Sequence, residues 1–258
     1  MDLNLQGKTA IVTGGSRGIG SYIAKSLAAE GCRLAICARG EEQLSRTAAE
    51  LEASGAEVLA LTLDVTAPGA AERMVEAASE RFGGVDILVN NVGGNKRGAF
   101  ADLTDDDWEG VLDLNFRAHQ RFSRAVIPAM RARGGGAILF VASIFGREAG
   151  GPGLAIYNTT KSALISMAKI MALELAGEGI RVVSLAPGSI RFPGGSWDTR
   201  CVEDPDGMAA FIEQNLPIGR FGTAEEVADV AAFLVSDRAS LITGACVNAD
   251  GGQSRSLI

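Results

Sequence analysis

Three polar side chains in the second half of the chain have the types needed to move a proton to or from a carbonyl oxygen. Tyr157 and Lys161 fall on one turn of a candidate helix, a spacing that puts two side chains on one face. A phenol can act as acid or base, but its free pKa of about 10 makes it a weak base at neutral pH. A neighbouring ammonium would favour the phenolate and lower that value. Ser143 closes an apolar run upstream, and a serine hydroxyl can hydrogen-bond a substrate oxygen as charge develops on it. Taken alone, the tyrosine and lysine are equally a surface pair on a helix.

A second group could hold a phosphate. Thr13-Gly14-Gly15-Ser16-Arg17-Gly18-Ile19-Gly20 follows an apolar run and opens a helical pattern. Glycines let backbone approach a pyrophosphate, and a helix N-terminus adds N–H donors and a positive dipole end. The spacing departs from the standard dinucleotide fingerprint, so a tight turn that binds nothing is the competing reading. The stretch Ile36-Cys37-Ala38-Arg39 lacks the acid that would hold a ribose 2′-hydroxyl. Arg39 and Arg17 suit a 2′-phosphate instead, which favours NADP (NADPH), with NAD as the alternative. Arg39 paired with Glu41 or Glu42 would undo that argument.

Positioning such groups requires alternating strands and helices. Apolar runs at 8–13, 33–38, 58–64, 86–90, 137–142, 180–186 and 245–248 read as strands buried on both faces. Helical patterns at 19–30, 41–53, 69–82, 105–131 and 155–176 separate them, and Val227, Val230, Ala231 and Leu234 mark another near the C-terminus. The acidic Asp105-Asp106-Asp107 suits a helix start. The alternation predicts a single doubly wound α/β domain over 1–258, Rossmann-type, with about seven parallel strands and helices on both faces. Ser143 and Asn90-Asn91-Val92-Gly93 then fall at the carboxyl edge, where open sheets bind ligands. The segment 189–216, rich in Pro and Gly, breaks the pattern and reads as an irregular substrate lid.

In this order and spacing the motifs resemble the short-chain dehydrogenase/reductase family over essentially the whole chain. The resemblance rests on Gly14 to Gly20, Asp64, the Asn90-Asn91-Val92-Gly93 turn, Asn115, Ser143, Tyr157, Lys161 and Pro187-Gly188. It implies a catalytic set of Asn115, Ser143, Tyr157 and Lys161, with Asn115 holding a water in a proton relay. It also implies cofactor contacts from Gly14, Ser16, Arg17, Gly18, Ile19, Gly20, Arg39, Asp64, Val65, Asn91, Gly93, Tyr157, Lys161, Pro187, Gly188 and Ile190. The activity implied is hydride transfer between nicotinamide and a carbonyl or secondary alcohol, with 3-oxoacyl-carrier-protein reductases among the relatives. The alternatives are an NAD-dependent alcohol or sugar dehydrogenase and a non-catalytic dinucleotide sensor. A homotetramer or dimer is implied, with the Asn115 and Tyr157 helices at one interface.

Two positions depart from the family pattern. Val92 stands where Ala is usual and narrows the space beside the cofactor. Phe192 stands where a Thr often contacts the nicotinamide amide, leaving that contact to Ser189 or backbone. For an acyl carrier protein, Glu178 replaces a docking base and would repel an acidic partner, while Arg131 and Arg133 remain as docking cations.

The substrate loops hold Lys96, Arg97, Arg147, Arg191 and Arg200, which either focus an anionic substrate or are solvated loop charges. Phe145, Phe192, Trp197, Met208 and Phe211 form either an apolar wall of the site or the lid's own core, with Gly194 and Gly195 as hinges. His119 lacks the Gly-x-Ser-x-Gly elbow of a hydrolase around Ser143, which favours packing or a subunit contact.

Composition narrows the remaining classes. The 258 residues carry 24 Lys+Arg and 31 Asp+Glu, a formal charge of −7, a poor basis for nucleic-acid binding. No apolar run reaches the roughly 18 residues of a membrane span, and the start lacks a secretory pattern. One His and four scattered Cys give no zinc-type ligand set, and the thiols suit a reduced cytoplasm.

Overall fold

The computed structural model describes residues 1–257. β1 (Thr9–Thr13) feeds α1 (Gly18–Ala29), β2 (Arg33–Ala38) feeds α2 (Glu41–Ala53) and β3 (Val58–Thr62) feeds α3 (Ala70–Phe82). β4 (Ile87–Asn90) precedes α4 (Asp105–Leu112) and α5 (Ala118–Ala132), and β5 (Gly136–Val141) precedes α6 (Ala155–Leu175). β6 (Ile180–Pro187) leads through β7 (Ile190–Arg191), α7 (Ser196–Glu203), α8 (Pro205–Asn215) and β8 (Gly222–Thr223) to α9 (Ala224–Val235) and β9 (Cys246–Ala249).

Seven strands form one parallel sheet in the order β3-β2-β1-β4-β5-β6-β9. Strand order reverses direction between β1 and β4, the switch point at which such sheets open a crevice at their carboxyl ends. Successive side chains on a strand face opposite ways, so the sheet divides two cores. Val12, Ile36 and Leu139 pack with Ile23 and Leu27 of α1 and Val227 of α9. Ile11, Leu88 and Ile138 pack on the other side with Met74, Phe122 and Leu164. The edge strands β3 and β9 are only partly buried, because each has a neighbour on one side alone; burial on both faces holds for the five inner strands.

Two expectations are corrected. The helix read over 105–131 is interrupted by a π-turn at Asp113–Arg117, where the Ala118 amide bonds the Asp113 carbonyl. Its N-cap is Thr104, whose hydroxyl and Asp107 carboxylate form a reciprocal capping box. The segment 189–216 is not irregular: α7 and α8 fill most of it, and the Asp204 carboxylate accepts from the Gly207 amide at 2.9 Å to start α8. Among the described residues no helix is long and apolar enough to cross a membrane.

Candidate active site

The β1–α1 junction is built for close backbone approach. Gly14 and Gly18 have left-handed φ values of +68° and +56°, which a residue with a Cβ resists. A Cβ on Gly20 would lie 2.4 Å from the Gly14 carbonyl oxygen, so α1 can start against the turn only with glycine there. No side chain caps α1 and no acid sits in its first turn, which leaves its first amides as free donors. The Asn91 side-chain amide donates to the Thr13 carbonyl at 3.0 Å, and the Asn91 backbone amide donates to the Thr13 hydroxyl at 3.0 Å. These bonds tie the ends of β1 and β4 together.

Arg17 and Arg39 are exposed at the cleft. Glu42 pairs with Arg46; Arg39 makes no salt bridge with Glu41 or Glu42, and its charge acts on Asp64, whose pKa it helps to lower. The Asp64 carboxylate accepts from the amide and hydroxyl of Thr66 at 3.0 and 2.7 Å, and these bonds hold its pKa below the usual range. An open glycine turn, uncapped amides and unpaired guanidiniums fit a dinucleotide phosphate.

A cleft of about 1250 Å³ runs from this turn to Ser143, Tyr157 and Lys161. Every residue expected to touch the cofactor lines it, including Ser16, Ile19, Val65, Gly93, Pro187, Gly188 and Ile190. Asn115 does not: it is fully buried behind the wall. Its carboxamide accepts from the Gly94 amide at 2.8 Å and donates to the Gly94 carbonyl at 2.8 Å and the Thr160 hydroxyl at 3.1 Å. The side chain is therefore spent on fixing the turn after β4, and a water-holding role would fall to other atoms. His119 holds the same turn through an Nε2 contact to the Val92 carbonyl at 2.6 Å. It is buried against Phe140, and burial lowers its pKa to about 3. The ring is neutral and internal, so packing is its role and a subunit contact is not.

Ser143 hydrogen-bonds the Tyr157 phenol, which favours the phenolate, but burial dominates and raises the tyrosine pKa. Lys161 donates to the Val141 carbonyl at 2.8 Å, and burial lowers its pKa to about 8. Its ammonium lies 5.7 Å from the Tyr157 ring centre. The expected lowering of the tyrosine pKa by Lys161 is therefore absent from the protein alone; desolvation is the larger effect on both groups. Asn158 sets their geometry by donating to the carbonyls of Phe145 and Glu148 at 2.7 and 2.8 Å. This stitches the loop carrying Ser143 to the start of α6.

A family model described as enoyl-(acyl carrier protein) reductase matches residues 14–254. Dehydrogenase/reductase SDR family member 4 of Oryctolagus cuniculus is 40% identical over 253 residues, 96% of this chain and 94% of that protein. The chain belongs to the short-chain dehydrogenase/reductase family. Escherichia coli 3-oxoacyl-[acyl-carrier-protein] reductase FabG is 38% identical over 250 residues, 97% of this chain and 98% of that one. The L-sorbose reductase of Gluconobacter frateurii, solved with NADPH and L-sorbose, superposes with a TM-score of 0.94 at 36% identity, covering 100% of both chains. The protein is thus an oxidoreductase of alcohol and ketone groups with a nicotinamide dinucleotide cofactor.

Within this short-chain dehydrogenase/reductase, the departures have structural counterparts. A methyl of Val92 lies 3.0 Å from where a Gly14 Cβ would be, so the valine braces the glycine turn. The Phe192 ring lies 3.0 Å from the corresponding point on Gly18, and Ser189 is engaged by Gln253, whose amide donates to its hydroxyl at 3.0 Å. The apolar wall divides: Phe145, Phe192 and Trp197 line the cleft, whereas Met208 and Phe211 do not. Thr13, Asn158 and Gln253 were not singled out in the sequence. Their partners lie on other segments, and only the position of Asn158 beside Tyr157 offered a local signal.

Proposed function

We propose that the protein reduces a ketone on a small molecule with NADPH. The observation that carries this reading is the hydrogen-bonded Ser143–Tyr157 pair, with Lys161, in one cleft with the glycine turn. The bound nicotinamide would supply the hydride. Tyr157 gives its phenolic proton to the carbonyl oxygen, and Ser143 donates a hydrogen bond to that oxygen as negative charge builds on it. Burial raises the Tyr157 pKa, so the phenol is protonated at neutral pH, the form that can give a proton to a carbonyl oxygen. Lys161 holds its charge below about pH 8 and sits beside Gly93, where it can hold a ribose hydroxyl. Asn115 is a positioning residue for the Gly93–Gly94 turn.

NADPH is favoured by Arg39, unpaired at the end of β2 where no acid stands. A carrier-bound acyl substrate is disfavoured because both candidate docking cations are taken: Arg131 pairs with Glu178, and Arg133 with Asp86 at 3.0 Å. The α7–α8 segment is read as the substrate lid. Ile170 and Leu173 expose 53% and 67% of their surface on α6, which supports a homo-oligomer packed through that helix. Four free thiols are consistent with a reducing cytoplasm. NADPH oxidation across a panel of acetoacetyl thioesters, keto sugars, keto acids, diketones and cyclic ketones tests the reading. A thioester well ahead of the rest would restore the 3-oxoacyl reductase assignment, and bound NADPH without turnover on any substrate would favour a sensor.

A further inference from the structure

We infer that the substrate carries an anionic group, a carboxylate or phosphate ester, held by Arg97 and Arg200 while its carbonyl rests at Ser143 and Tyr157. This rests on the ketone-reductase reading and names the substrate class of that site. The protein as a whole is acidic, with a net charge of −7, yet beyond the residues given to the dinucleotide (Arg17, Arg39, Asp64 and Lys161) both charged side chains lining the cleft, Arg97 and Arg200, are cationic. Asp64 lies at the dinucleotide end, where its Oδ1 accepts from both the amide and the hydroxyl of Thr66. A concave wall of one sign focuses its field on a ligand of the other.

The basic loop residues separate on their partners. Lys96 is on Asp107 at 3.2 Å and Arg191 on Asp198 at 2.9 Å. Arg147 donates to Asn248 at 2.7 Å and the Cys246 carbonyl at 3.2 Å, anchoring its loop to β9. Arg97 and Arg200 remain: both line the cleft, and neither has a carboxylate partner among the described residues. Arg97 comes from the loop after β4 and Arg200 from α7 in the segment after β6, the substrate side of such a sheet. The Arg200 guanidinium stands 5.0 Å over the Trp197 ring, and Trp197 packs on Phe211 and Phe221 at 4.8 and 5.1 Å. Contact with the indole anchors the guanidinium over the ring, and its N–H groups, with no carboxylate partner among the described residues, can take two oxygens.

The test pairs each anionic ketone with a neutral match: 3-oxobutanoate, 4-oxopentanoate and 5-oxohexanoate with their methyl esters, and dihydroxyacetone phosphate with dihydroxyacetone. For each pair, kcat/KM is measured with NADPH, and binding to the NADP-loaded protein by calorimetry. At least one anion is expected to exceed its neutral match by about 10- to 100-fold at low salt, and which arm leads separates carboxylate from phosphate. Arg200→Gln and Arg97→Gln are expected to collapse that ratio, whereas Lys96→Gln leaves it intact. Neutral ketones equal to or better than their anions in every pair, or a ratio that survives the double variant, would overturn the inference. An anion that binds through Arg200 yet is never reduced would instead sink the reductase reading and leave the anion site standing.

Discussion

The two ends of the cleft are built from different materials. At the dinucleotide end, backbone does most of the work: left-handed glycines, uncapped α1 amides and strand ends tied by Thr13 and Asn91. At the substrate end, side chains on loops and short helices set the surface, with Trp197, Phe211 and Phe221 packed on one another and Arg200 laid on top. Backbone geometry tolerates little substitution, because a Cβ either fits or clashes. Side chains on a lid can be exchanged while the scaffold persists. One end therefore fixes the reaction class and the other selects the molecule.

Substitutions sharpen or break this contrast. Tyr157→Phe should lower kcat by about 10²–10⁴ while leaving the NADPH dissociation constant within a few-fold; equal loss of both would mean that the two ends are not separable. Gly20→Ala should do the reverse, weakening NADPH binding and lowering the melting temperature, because its methyl meets the Gly14 carbonyl at a cost of about 1–3 kcal/mol. A normal melting curve with normal NADPH titration would show that the turn yields more easily than its packing implies. Arg39→Asp should move the NADPH/NADH preference toward NADH by about 10- to 100-fold, roughly 1.4–2.7 kcal/mol, without altering preference among ketones. An unchanged cofactor ratio would remove Arg39 from the 2′-phosphate site.

The effect with no pH dependence near neutrality concerns the wall between the ends. His119 has a pKa of about 3 when folded against 6.5 for the ordinary group. Between those values the unfolded chain binds a proton that the folded chain refuses, so stability falls as pH drops through that window. The slope is at most about 1.4 kcal/mol per pH unit, and above pH 6.5 the contribution is constant. His119→Gln should flatten the urea-midpoint profile below pH 6.5; a profile of unchanged slope would assign the acid sensitivity to other groups.

The same contrast explains what the sequence disclosed. All seven sheet strands were legible as apolar runs, most directly the five inner ones that burial on both faces leaves unbroken, and the glycine turn because backbone demands leave glycines. The π-turn at Asp113–Arg117 left no mark, since a wider turn needs no special residue and the periodicity on both sides is helical. The α7–α8 helices were hidden by Gly194 and Gly195 and a mixed surface, although Asp204-Pro205 is a helix-start signal that was available. The roles of Arg147, Glu178 and Gln253 depend on partners far along the chain, and no local pattern encodes them. Tyr157 and Lys161 were legible as a pair by spacing, but the direction of their pKa shifts was not, because burial is a property of the packed cleft.

The extra residue in the π-turn acts as a phase shifter. One residue rotates a helix by about 100°, so α5 leaves the turn on a different heading from the one α4 would have given it. The turn itself sets Asn115 on Gly94, and the phase in which α5 leaves it sets His119 on Val92. Deleting a single residue there would swing both grips off the strand end at once, with the sheet untouched. The floor of the cleft is thus timed by a helical turn whose Asn115 never reaches the cleft's surface.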